Sequence, residues 1–138
     1  MTERNVHGEW RLSFENRILL TQVSGSTNSE AVKAWLKEAI DLVDSSHFGL
    51  ESAWAVLVDA SDWGMSPGDS WEAHNIMVVE LEENNCQIFA VVFSKKIHEF
   101  SLEQGFQDKG MVQLFHNYDE AYQACLDKLS EVEYQIKK

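Results

Sequence analysis

The chain has 138 residues, 44% of them hydrophobic, and a formal net charge of −12. That length and apolar content suit one globular domain with a sizeable core and argue against a disordered chain. So much acid repels phosphate backbones and anionic lipid, there is no basic patch interleaved with aromatics, and no apolar run is long enough to span a bilayer. Nucleic-acid binding and an integral membrane segment are therefore disfavoured.

Residues 1–8 read as a short flexible lead. They lack the apolar core of an export signal, which points to a cytoplasmic location. Residues 9–16 then alternate, with Trp10, Leu12 and Phe14 on one face, and residues 18–23 supply a second strand beyond a turn at Asn16-Arg17. Strands this close together predict an antiparallel hairpin. After the break at Ser24-Gly25-Ser26, Thr27 and Glu30 stand at capping-box spacing. Val32, Trp35, Leu36, Ala39, Ile40 and Val43 follow at helical spacing, and residues 45–49 close the helix, with Gly49 a candidate stop.

Residues 54–58 form an unbroken apolar run, as in a strand covered on both faces, and Asp59 ends it. A polar loop follows, holding Ser61, Asp62, Trp63, Met65 and Ser66. Pro67, the only proline, suits a first helical position, which makes Ser66 the predicted N-cap with Asp69 at capping-box spacing. Turn and cap chemistry accounts for Asp59, Ser61 and Ser66. The functional alternative is a docking or switching loop carried by an outward-facing Trp63, whose other reading is an indole folded back onto the core. The helix continues to about residue 82 with Trp71, Met77, Val78 and Leu81 on its apolar side.

Asn84-Asn85 reads as a turn and residues 87–93 as another buried strand. Residues 95–105 read as a short helix bearing Ile97 and Phe100, and residues 111–115 as a short strand. Asn117 caps the final helix, with Glu120 at capping-box spacing and a stripe of Tyr118, Ala121, Tyr122, Cys125 and Leu129. The order β-β-α-β-α-β-α-β-α predicts an α/β fold. A single domain over residues 1–138 would carry a mixed sheet with an opening β-hairpin and helices packed against it. Right-handed crossovers would join its parallel strands, and strands 54–58 and 87–93 would be central. Ligands and partners of such sheets meet the carboxyl ends of the strands, which singles out residues 59–71.

This order resembles the STAS domain, the SpoIIAA-like fold of bacterial anti-sigma-factor antagonists, and in particular a group of uncharacterised bacterial STAS-like proteins. The likeness spans roughly residues 9–130. It rests on the hairpin, the strand end Leu57-Val58-Asp59, the passage into Ser66-Pro67 and the segment from Phe115 to Tyr122. The resemblance implies a regulatory module that binds a protein partner. It also implies a phosphorylatable serine near the start of the helix after that strand, commonly in an Asp-Ser-x-Gly-like context. Here Asp59 is followed by Ala60, then Ser61, and Ser66 directly precedes Pro67. Ser61 and Ser66 are the two candidates for phosphorylation.

No P-loop, GxGxxG, GxSxG or HExxH motif is present. The five histidines are dispersed without metal-ligand spacing, so neither a metal nor a cofactor is predicted. His74 suits a local hydrogen bond with Asp69 or Ser70, and His98 reads as a surface residue. Cys86 and Cys125 are far apart and read as free thiols acting as small hydrophobes. The leading reading is a non-enzymatic regulatory and protein-interaction module. Its partner would meet Asp59, Ser61, Asp62, Trp63, Met65 and Ser66, and a homo-oligomer is compatible with the sequence. The alternative is a small-molecule or lipid binder with an apolar pocket near residues 95–106, lined by Trp63, Met65, Ile97 and Phe100. A hydrolase-like enzyme ranks last.

Overall fold

The computed structural model describes residues 8–66 and 68–137. Most of the expected lead, and Pro67, lie outside the described residues. The elements appear in the predicted order: β1 (Glu9–Glu15), β2 (Ile18–Gly25), α1 (Ser29–Asp44), β3 (Trp54–Trp63), α2 (Trp71–Glu83), β4 (Cys86–Val92), α3 (Lys96–Gly105), β5 (Val112–Phe115) and α4 (Tyr118–Lys137), with a 3₁₀ turn at Gly68–Ser70. They build one five-stranded sheet in the order β1-β2-β3-β4-β5. β1 pairs antiparallel with β2, and every other pairing is parallel. The two apolar runs therefore form interior, parallel strands, as their continuous hydrophobicity requires. Asn16 and Arg17, at φ 51° and 61°, turn the hairpin in the left-handed conformation that matches strand twist.

Side-chain alternation sends Val56, Val58 and Ala60 of β3 to a core shared with Trp35 of α1, Met77 of α2 and Leu102 of α3. Ala55 and Leu57 face the other way, onto Ala121, Cys125 and Leu129 of α4. Asn117 caps α4 as predicted, its Oδ1 accepting from the Glu120 amide at 3.1 Å.

Two bulges break the alternation. From Gln22 to Ser24 β2 advances two residues while β3 advances three, from Asp59 to Asp62. From Trp54 to Val56 β3 advances two while β4 advances three, from Cys86 to Phe89. An extra residue in a strand exchanges its two faces from that point onward. Beyond the first bulge Trp63 joins the core of Val56, Val58 and Ala60. Unbroken alternation would have put it on the opposite face.

Three expected boundaries are corrected. β3 does not end at residue 58. It runs to Trp63, because β2 offers backbone partners as far as Gly25. α1 is capped by Asn28, whose side chain accepts from the Ala31 amide, and it closes at Ser45, where the expected closing stretch 45–49 begins. The Thr27 hydroxyl, expected as that cap, is instead committed to Ser66 and Trp63. α2 begins at Trp71, with Ser70 in the N-cap place, after the 3₁₀ turn. Ser66 is not its cap. Its hydroxyl lies 2.7 Å from Thr27 Oγ1 and ties the loop back to the start of α1.

Candidate functional site

Asp59 and Ser61 lie on the carboxyl half of the central strand. Asp59 Oδ1 accepts from the Ser61 amide at 3.1 Å and from the Ser61 hydroxyl at 2.7 Å. The pair is a side-chain turn closed on itself, as these residue types favour. The Ser94 hydroxyl, just past β4, donates to the Ser61 carbonyl at 3.2 Å. Asp62 is exposed beside them. Together these residues form a polar ledge at the carboxyl end of the sheet.

Trp63 is not part of that ledge. It is 6% exposed, and its Nε1 donates to Thr27 Oγ1 at 3.2 Å. Its ring packs against Trp71 and His98, with centroids 6.3 and 5.3 Å away. The expectation of an outward tryptophan is therefore corrected, and the cause is the bulge in β3. Met65 and Ser66 are half-buried, with Met65 at φ 74°. The six residues expected to form one contact surface thus divide into the ledge (Asp59, Ser61, Asp62), a core anchor (Trp63) and a loop tied to α1 (Met65, Ser66).

Ser66 also approaches a histidine. His74 Nδ1 lies 2.9 Å from the Ser70 carbonyl, a contact that requires the proton on Nδ1 and leaves Nε2 to accept. This is the local bond expected for His74. Ser66 Oγ stands 3.5 Å from that Nε2, at the outer limit of a hydrogen bond. A serine and a histidine therefore meet. The ring, however, is packed against Trp71 and Phe106, with centroids at 4.6 and 5.8 Å, and a backbone carbonyl stands where a triad would place a carboxylate. Burial lowers the pKa of His74 and outweighs the opposing effect of the Ser70 carbonyl.

His98, expected at the surface, is only 3% exposed. Its Nδ1 has no hydrogen-bond partner among the described residues, and burial, then the Lys95 charge, lowers its pKa. It sits on the inner side of α3 because helical spacing places it with Leu102, one turn on.

Two large apolar residues of α2 and two of α3 point outward. Ile76 and Val79 are 52% and 53% exposed, and Ile97 and Phe100 are 60% and 65% exposed. With Met65 and Trp71 they line an open groove of about 810 Å³ between the two helices. Of the four residues expected to line a pocket near residues 95–106, Met65, Ile97 and Phe100 do so and Trp63 does not. Asn75 fixes the floor: its Nδ2 donates to the Trp71 and Gly105 carbonyls, both at 2.9 Å, and its Oδ1 accepts from the Gln107 amide at 2.9 Å. The sequence carried a signal for the outer wall, since Ile76-Met77-Val78-Val79 is apolar on both sides of the helix.

A separate cavity of about 80 Å³ lies inside the core, bordered by Trp35, Trp63, Trp71 and His74. Cys86 and Cys125 are free and buried. Burial raises both thiols, Cys125 to about 12, so neither is poised as a nucleophile. Among the described residues no group of three His, Cys, Asp or Glu side chains could hold a metal ion, and no helix is long and apolar enough to cross a membrane.

No family model matches the chain, and no curated protein matches it. Solved structures do. An anti-sigma factor antagonist from Mycobacterium paratuberculosis superposes with a TM-score of 0.57 at 19% identity, over 87% of this chain and 95% of that one. An uncharacterised protein of the DUF3478 family from Shewanella loihica, described as having a SpoIIAA-like fold, gives 0.60 at 11% identity, over 88% and 96%. A variant of RsbS from Moorella thermoacetica gives 0.59 at 14% identity, over 91% and 98%. The hairpin-led mixed sheet, the helices on its two faces and these superpositions together establish that the chain has the STAS, or SpoIIAA-like, fold.

Proposed function

We propose that the chain is a non-enzymatic regulatory module that binds a protein partner at the carboxyl end of its sheet. The observation that carries this reading is the polar ledge of Asp59, Ser61 and Asp62 on a fold shared with an anti-sigma factor antagonist. Met65 and Ser66, half-buried, follow the ledge in sequence and are tied to Thr27 instead, and the burial of Trp63 removes it from the contact set. Ser61 is the better placed of the two candidate phosphorylation sites. A phosphate there would meet Asp59, which already holds both the Ser61 amide and its hydroxyl, and repulsion would open that turn. A phosphate on Ser66 would have to part its hydroxyl from Thr27, and the α-helix begins five residues later, so the helix end gives it less support.

The test is a photo-crosslinking residue placed at Asp62 in the source cell, followed by measurement of the captured partner's affinity with purified proteins. Asp62→Arg and Ser61→Asp should each weaken binding at least about tenfold, as for a central contact, while far-UV circular dichroism stays unchanged. A captured protein that binds both variants as tightly as the parent would rule the ledge out. The alternative reading, a small-molecule or lipid binder, draws on the groove between α2 and α3. Its walls are more than half exposed at Ile97 and Phe100, which suits a shallow docking surface better than enclosure of a ligand.

A further inference from the structure

We infer that the groove between α2 and α3 is a second contact surface, and that its occupant is a basic amphipathic helix of a partner protein. This rests on the interaction-module reading and names the class of partner. Ile76 and Val79 stand three residues apart on α2, and Ile97 and Phe100 three apart on α3, so each wall presents a pair of apolar side chains one above the other. These are four of the six large hydrophobic side chains exposed among the described residues, and they gather on one groove. Such a contiguous patch marks an interaction site, whereas scattered apolar residues need no explanation. The Asn75 bonds to both helices' ends hold the groove ready-formed, so an occupant need not open it.

Charge selects the occupant. α2 carries Glu72, Glu80, Glu82 and Glu83 and no lysine or arginine. α3 carries Glu99 and Glu103, balanced by Lys96 and the N-cap Lys95, so the acidic excess comes from α2. Glu72 itself lines the groove. A second copy of this chain would bring another charge of −12 against the first, and anionic lipid would be repelled likewise. A helix with an apolar stripe and lysine or arginine flanks satisfies both the walls and the rim, in the helix-in-groove mode of recognition.

The experiment uses a fluorescein-labelled synthetic peptide of leucine and lysine, with leucine at i, i+3, i+4 and i+7. Fluorescence anisotropy follows its binding to the full chain. The comparators are a scramble of the same composition and the same peptide with glutamate for lysine. The basic amphipathic peptide should bind, its affinity should fall as salt rises, and both comparators should bind weakly. Phe100→Ser and Val79→Ser, on opposite walls and both exposed, should each weaken it at least about tenfold, with unchanged far-UV circular dichroism. Equal binding by parent and variants would overturn the inference, as would equal binding of the acidic peptide. A parent dimer in sedimentation that Phe100→Ser dissociates would assign the groove to a second copy. Partition into phosphatidylcholine vesicles that Phe100→Ser abolishes would assign it to lipid. A partner captured at Asp62 and weakened by Asp62→Arg, together with failure of the peptide, would overturn the groove and leave the ledge intact. Failure of both would remove the module reading as well.

Discussion

Trp63 and Thr27 form the most consequential pair at the scale of single residues. The indole is buried, its N–H is satisfied only because Thr27 faces it, and Thr27 in turn meets Ser66. Trp63→Ala would open a large cavity beside Trp71 and His98, and should cost about 3–5 kcal/mol. Urea denaturation of the purified variant measures this. A midpoint close to that of the parent would show that the side chain is not packed as described. Thr27→Val keeps the shape but removes the acceptor, leaving a buried donor unpaired, and should cost about 1–3 kcal/mol. Ser66→Ala removes a half-buried hydroxyl whose partner keeps the indole, and should cost only about 0.5–1.5 kcal/mol. A double-mutant cycle between Thr27 and Ser66 should be non-additive, because the two hydroxyls share one bond.

Among the elements, α3 has the slightest attachment. Its buried residues are His98, Leu102 and Gly105, and the Asn75 side chain clamps its carboxyl end. Gly105 lies flat against the Trp71 indole, and a Cβ there would run into the ring. Gly105→Ala should therefore cost about 1–3 kcal/mol through overpacking. The loss should be local: hydrogen exchange of the α3 amides should rise severalfold while the β3 and β4 amides keep their protection. Uniform loss across the sheet would mean that α3 is integral to the core. The same close approach sets the depth of the groove floor, so this variant should also alter peptide binding there.

At the scale of the whole molecule, His74 and His98 make stability depend on pH. Both have native pKa values below the unfolded value of 6.5. Well above pH 6.5 both are neutral in either state and contribute nothing to the dependence. As pH falls below 6.5 the unfolded chain takes up protons that the native core refuses, so stability falls until the native pKa is reached. For His74 the slope is at most about 1.4 kcal/mol per pH unit. Urea midpoints should therefore decline below pH 6.5, well above the range where carboxylates titrate, and His74→Gln should flatten the decline. A parent chain whose midpoint is level between pH 7 and the carboxylate range (about pH 4–5) would show that neither histidine is buried as described.

The sequence by itself determined the order of elements, the two interior strands, the hairpin turn at Asn16-Arg17 and the cap at Asn117, because these follow from local periodicity and backbone preference. It also located the carboxyl end of β3 as the place to look. Only the tertiary structure decided where β3 ends, since β2 lends it backbone partners as far as Gly25. The face that Trp63 occupies was decided the same way, since one extra residue in the strand exchanges the faces and leaves no mark in composition. Ser66 read as a helix cap, but a hydroxyl pairs with whatever lies nearest in space, and that is Thr27, 39 residues earlier. The groove was half legible: Ile97 and Phe100 announced one wall, and the four-residue apolar run in α2 contained the other. Only packing showed which residues of that run the core left outside, because a helix stripe records how many sides are apolar and not which neighbour covers each.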